Sequence, residues 1–127
     1  MSAAALALVI AAGPSFDLPD YRGSHYTPAA AEFLTCAALR ESSGSWKADG
    51  PYGSGAFQIT GETWNFYAKR AGYPEWVGKR AAKAPPYVQT EVAFVMVNPF
   101  PKKPGLEGKH HWSPTHALTI GKRIEAC

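Results

Sequence analysis

The chain has 127 residues, the length of one domain, and 46% of them are hydrophobic, enough to bury a core without metal or oligomer support. Thirteen Lys and Arg against ten Asp and Glu leave a net charge of +3, spread as short pairs such as Lys102-Lys103 and Lys122-Arg123. That pattern argues against nucleic acid as the partner and fits either an ordinary solvated surface or a mild attraction to a polyanion.

Residues Ser2 to Gly13 form an apolar, alanine-rich run with no Lys or Arg before it, and the run is too short to cross a bilayer as a helix. It reads as a retained segment rather than a cleaved signal, and no stable membrane insertion is expected. After Gly13-Pro14 the chain is rich in Pro, Asp and Gly as far as Ser24, the composition of an ordered arm. Residues 1–26 are therefore assigned to an N-terminal segment and arm, and 27–127 to a single folded domain.

Thr27-Pro28 predicts a helix start, with a hydroxyl N-cap and a proline whose missing N–H is harmless at the first position. Ala30, Phe33, Leu34, Ala37 and Ala38 then recur at helical spacing, and Glu41 continues that stripe in the last turn before a Ser42-Ser43-Gly44 stop. From Asp49 the run DGPYGSG is dense in turn residues and leads into the short apolar Ala56-Phe57-Gln58-Ile59, predicted as a small hairpin or extended loop. A second helix is expected from Thr60 to about Ala71, with Glu62 in its first turn, Gly72 as its stop, and an aromatic face of Trp64, Tyr67 and Phe66. A third should begin at Pro85-Pro86, turn Val88, Val92, Val95 and Met96 inward, and end at Asn98-Pro99. Residues from Pro99 to His111 read as a loop, and Ser113-Pro114 opens a last helix through about Ala126. The fold class is α+β, mainly α.

Cys36 and Cys127 are the only cysteines, too few for a disulfide scaffold and without zinc-ligand spacing. They are either two unrelated thiols or one staple closing a loop of roughly 90 residues, which chain entropy values at about 4 kcal/mol. The staple is the expectation, and such a bond persists only outside a reducing cytosol. His110-His111 with His116 raises the idea of a metallopeptidase, but H-E-x-x-H is absent and the two adjacent histidines sit in a Lys-rich loop. No metal and no cofactor are expected.

Glu41-Ser42-Ser43-Gly44-Ser45-Trp46, then GSGAFQI over Gly53 to Ile59, then Thr63-Trp64, together resemble the resuscitation-promoting factors and the soluble lytic transglycosylases. The detailed similarity spans roughly Cys36 to Tyr67, with a looser likeness around Gln89, Val92 and Ala93. Two departures are visible: those factors place a cysteine directly before the glutamate, whereas Cys36 lies five residues before Glu41, and they usually carry glycine where Ser43 stands. The resemblance implies a lysozyme-like domain, with the hairpin or loop beside an active-site cleft and Glu41 as the catalytic acid. Its substrate would be the peptidoglycan glycan strand, cut between N-acetylmuramic acid and N-acetylglucosamine.

Such an acid must hold its proton near neutral pH, and an apolar stripe at the negative end of a helix disfavours the charged form. The competing reading is a solvated helix-end glutamate paired with Arg40 or Lys47. Around Glu41, Gln58 offers an amide suited to an acetamido or hydroxyl group, and Ser42, next to Glu41, is a further candidate substrate-binding residue. Gly53 and Gly55 allow close backbone approach to a ligand. Tyr52, Tyr87, Trp46 and Trp64 are candidate stacking platforms, with core burial as the alternative for the tryptophans. Asp49 is a candidate for positioning water.

With no evident carboxylate partner for Glu41, the resemblance favours a transglycosylase that forms 1,6-anhydromuramyl ends. Hydrolysis by the same Glu41, or a non-catalytic wall-binding or structural virion subunit, are the alternatives. Action outside the cytoplasm is expected, on a phage particle in company with other virion or tail proteins, or as a secreted bacterial protein.

Overall fold

The computed structural model describes residues 16–103, 105–112 and 127. The apolar run at 2–13, the helix expected over 113–126, and His116 lie outside the described residues.

Helix α1 spans Pro28–Ser42 and starts as its sequence demands: Thr27 is extended, and its Oγ1 accepts the Ala30 N–H at 3.0 Å. Its buried face is Ala30, Phe33, Leu34, Ala37 and Ala38. At the other end Ser43 turns left-handed (φ 57°) and Gly44 follows at φ 80°. The Gly44 N–H then reaches back to the Ala38 carbonyl at 3.1 Å and closes the helix.

Helix α2 spans Gly61–Arg70, with Glu62 in its first turn and Lys69 and Arg70 in its last, each placed favourably on the helix dipole. Trp64 and Ala68 face the core, and the Trp64 indole donates to the Trp76 carbonyl at 2.9 Å. Phe66 corrects the expectation of an inward aromatic face: it is 55% exposed, because it lies about 200° around the helix from Trp64. Two single turns of 3-10 helix follow, Pro74–Trp76 and Ala81–Lys83, where the sequence shows no helical period.

Helix α3, Pro86–Val97, is buried along almost its whole length, from Val88 to Val97 with only Glu91 partly open. It packs against α1, α2 and a 3-10 helix at Glu107–Trp112, which falls where the sequence predicted a loop. That last element lies on α3 because Gly108 has no side chain: a Cβ there would strike the Met96 carbonyl. Trp112 locks the contact, donating to the Phe57 carbonyl at 2.9 Å and meeting the Phe33 ring edge-on at 5.5 Å.

The arm packs against the core. Phe16 sits 4.9 Å from Trp46 and 6.2 Å from Phe57, and Tyr21 stacks on Phe94 at 4.7 Å. His25 Nδ1 meets the Asn98 carbonyl at 2.8 Å while Asn98 Nδ2 donates to the His25 carbonyl at 2.9 Å, a mutual clip holding the arm to the end of α3.

The expected hairpin is reduced to single antiparallel bridges, Asp49 with Ser54 and Ser54 with Ile59. Glycines and Pro51 break the segment too often for a strand to extend. The described fold is therefore mainly helical. Cys36 and Cys127 are joined by a disulfide, with their Cα atoms 5.5 Å apart, so the staple expected from the sequence is present.

Candidate functional site

Glu41 is half-buried in the last turn of α1, on the side continued from Ala37 and Ala38. Its neighbour Ser42 stitches this helix end to the GSGAFQI segment. The Ser42 hydroxyl lies 2.7 Å from the Ala56 carbonyl and 3.2 Å from the Ala38 carbonyl, and it accepts the Ser45 N–H at 3.0 Å. With its proton and one lone pair so engaged, Ser42 sets the geometry beside Glu41 rather than offering a vacant donor.

Below this junction is Gln89, a fully buried amide from α3. Its Oε1 accepts the Ala56 N–H at 3.0 Å, and its Nε2 donates to the Trp46 carbonyl at 3.0 Å and the Ala84 carbonyl at 2.9 Å. One side chain thus joins the strip after Glu41, the strip before Gln58, and the entry to α3. Sequence reasoning placed Gln89 only in a loosely similar helix; a lone amide in an otherwise apolar helical run was the available signal.

Gln58 sits at φ 50°, a left-handed conformation unusual for a side-chain-bearing residue. Its Nε2 donates to the Gly55 carbonyl at 3.0 Å and more weakly to the Ala48 carbonyl at 3.4 Å. The close approaches that glycine allows here are internal: Gly53 lies on the Gln58 backbone, and Gly55, at φ 81°, lies against the Gln89 amide, where a Cβ would also stand 3.3 Å from the Ala81 methyl. Both are buried.

Asp49 is gripped by Arg80, whose Nε and Nη2 both donate to its Oδ1, at 2.9 and 2.7 Å. Hydrogen bonds from Arg80 and Ser54 hold its carboxyl below the usual carboxylate range. Of the aromatic candidates, Trp64 is core, Trp46 is half-buried between Phe16 and Phe57, and Tyr52 and Tyr87 are exposed at 83% and 55%. Tyr87 stands edge-on to Tyr73 at 6.3 Å. Burial and the nearby Glu91 push the Tyr73 hydroxyl up to about 12.

His111 reaches the Tyr67 hydroxyl at 3.2 Å and packs on the His110 ring at 4.2 Å. Among the described residues no three His, Cys, Asp or Glu side chains are grouped to hold a metal ion. Nor, among them, is any helix long and apolar enough to cross a membrane. A cavity of about 270 Å³ opens between the arm, α1 and α3, lined by residues including Tyr21, Arg22, Tyr26, Thr35 and Phe94; Glu41 is not part of its lining.

Comparison with protein-family models, with curated proteins and with solved structures finds no match to this chain.

Proposed function

We propose that this domain is a lysozyme-like enzyme that cleaves the glycan strands of peptidoglycan between N-acetylmuramic acid and N-acetylglucosamine, with Glu41 as its acid and base. One observation carries the reading: the 2.7 Å contact of the Ser42 hydroxyl with the Ala56 carbonyl brings the helix end bearing Glu41 against the segment bearing Gln58. A proton donor and an amide oxygen able to accept from an acetamido N–H or a hydroxyl, its own N–H groups being turned to Gly55 and Ala48, are thereby carried on adjoining backbone.

In the reaction Glu41 gives its proton to the glycosidic oxygen as the bond to the anomeric carbon breaks. The substrate's acetamido group stabilises the positive charge that develops on the sugar. The Glu41 carboxylate then takes the proton of the muramyl C6 hydroxyl, whose oxygen closes onto the anomeric carbon, giving a 1,6-anhydro end without consuming water. The state of Asp49 favours this route over hydrolysis. A carboxylate already holding two guanidinium bonds, with its pKa lowered, is a weak general base for activating water.

The disulfide supports action outside the cytoplasm, and delivery on a virion, beside other tail proteins, is the setting we favour. The test is digestion of purified sacculi in heavy-oxygen water with mass analysis of the muropeptides. Unlabelled anhydro ends are the expected product. Stoichiometric label at reducing ends would refute the transglycosylase route and keep Glu41 as acid, while intact sacculi would refute the enzyme. Glu41→Gln keeps shape and loses the transferable proton, so it should abolish lysis at an unchanged melting temperature; near-normal turbidity clearing by this variant would remove Glu41 from the mechanism.

A further inference from the structure

Arg80 stands immediately before the 3-10 turn Ala81–Lys83 and closes its guanidinium onto the loop from Asp49 to Gly53. Besides its two bonds to Asp49 Oδ1, Nη2 reaches the Gly50 carbonyl at 2.6 Å and the Gly53 carbonyl at 3.4 Å. Both ends of the turn are thus held from a distant part of the chain, in addition to the two backbone bonds that close it, Gly50 N–H to Gly53 carbonyl at 2.9 Å and Gly55 N–H to Ala48 carbonyl at 2.7 Å. The Arg80 side of the loop is fastened again by the Ala82 N–H, which donates to Ser54 Oγ at 2.8 Å.

The clamped loop rests on the candidate site at Gly50 and carries its tip in water. A Cβ on Gly50 would stand 3.2 Å from Gln58 Oε1, so the turn lies directly on the Gln58 amide. At its tip Tyr52 is 83% exposed, more than any other large hydrophobic side chain described. A ring held in water on a braced turn contributes little to the core, and its flat face suits the apolar face of a pyranose ring.

We propose that Arg80 is a positioning residue that holds the Asp49–Gly53 turn in the one shape presenting Tyr52 and Gln58 together to an N-acetylhexosamine unit of the substrate. It sets affinity for the glycan without touching the bond that breaks. The inference rests on the glycan-cleaving function proposed above. A lysine at position 80 would keep the charge but not the planar fork that spans a carboxylate and two carbonyls, so charge alone should not suffice. The lowered pKa of Asp49 agrees with a clamp that persists in mild acid.

The experiment measures initial rates against concentration of soluble, uncrosslinked peptidoglycan strands for the wild type, Arg80→Ala, Arg80→Lys, Tyr52→Ala and the combined variants, with thermal melting as a fold control. Losing one sugar–aromatic contact should raise KM about three- to tenfold. We expect that rise in Tyr52→Ala and at least that rise in both Arg80 variants, with kcat within about twofold, and no rise in the combined variants beyond that of the Arg80 change alone, because losing Arg80 already removes the Tyr52 contact. If Arg80→Ala does not fold, Arg80→Lys and Tyr52→Ala, alone and combined, provide the same test. Additive losses, an unchanged KM, or a fall in kcat alone would overturn the clamp. An active wild type with such results removes only the role of Arg80, whereas a wild type inert on the strands removes the glycan-cleaving function and this role with it.

Discussion

Replacing Gln89 by leucine keeps volume and apolar packing but removes the three hydrogen bonds that tie α3 to Trp46, Ala56 and Ala84. The orphaned groups are the Ala56 N–H and the Ala84 carbonyl, both on buried residues, and the half-buried Trp46 carbonyl. A buried backbone group left without a partner costs about 1–3 kcal/mol, so the sum is roughly 3–6 kcal/mol after allowing for partial access of water to Trp46. Against a net stability of about 5–15 kcal/mol that is a severe loss. With roughly 3–5 °C per kcal/mol for a chain of this length, the melting temperature should fall by about 10 °C or more. Circular dichroism melts of the two proteins at one pH decide the matter, with urea unfolding as a second measure. Gln89→Glu separates bonding from shape: its carboxylate keeps the acceptor for Ala56 but faces two carbonyls, so its stability deficit should shrink in acid, where the protonated form donates to one of them. A leucine variant melting within about 3 °C of wild type would show that the amide is not the joint we describe.

Other consequences can be checked as directly. Reducing the Cys36–Cys127 bond, or replacing Cys36 by serine, frees a span of 91 residues in the unfolded chain and should lower stability by up to about 4–5 kcal/mol; identical melts with and without reductant would contradict this. Ser43→Gly relieves a left-handed serine at the end of α1 and should be neutral or stabilising by about 1 kcal/mol, with wall lysis retained, while a clear loss of stability would mean the serine side chain has a role of its own. Burial and then the neighbouring His110 lower the pKa of His111 below its ordinary 6.5. The folded state therefore binds that proton more weakly than the unfolded chain, so the contribution is complete above pH 6.5 and is lost as pH falls through the folded-state value. His111→Gln should flatten the decline in melting temperature as pH falls below 6.5, and an unaltered slope would refute the assignment.

Helices α1 and α3 were legible because their ends are written in local chemistry: Thr27-Pro28, Pro85-Pro86, Asn98-Pro99 and the Ser43-Gly44 turn act over a few residues. Phe66 went astray because aromatic content was weighed ahead of angle; at about 200° from Trp64 it has no route inward. The short 3-10 turns repeat too few times to leave a period. What stayed hidden was the pairing of distant polar groups. Nothing near Asp49 announces Arg80, and nothing near Gly108 announces that a carbonyl of α3 will leave no room for a methyl. Glu41 and Gln58 stood out because of the short pattern that surrounds them, whereas the bonds of Ser42 and Gln89 that hold their segments together span 14 and 33 residues.

The disulfide also dictates how the molecule bears mechanical load. Because Cys127 is bonded to Cys36, residues 36–127 form a covalent ring, and tension applied at Cys127 passes straight into α1 at Cys36, five residues before Glu41. Under oxidising conditions such a pull cannot peel the domain from that end; only the chain ahead of Cys36 can be drawn out. A tether fixed at Cys127 would therefore stretch just the arm and the start of α1, and single-molecule extension should lengthen by a further 91 residues only after a reductant is added.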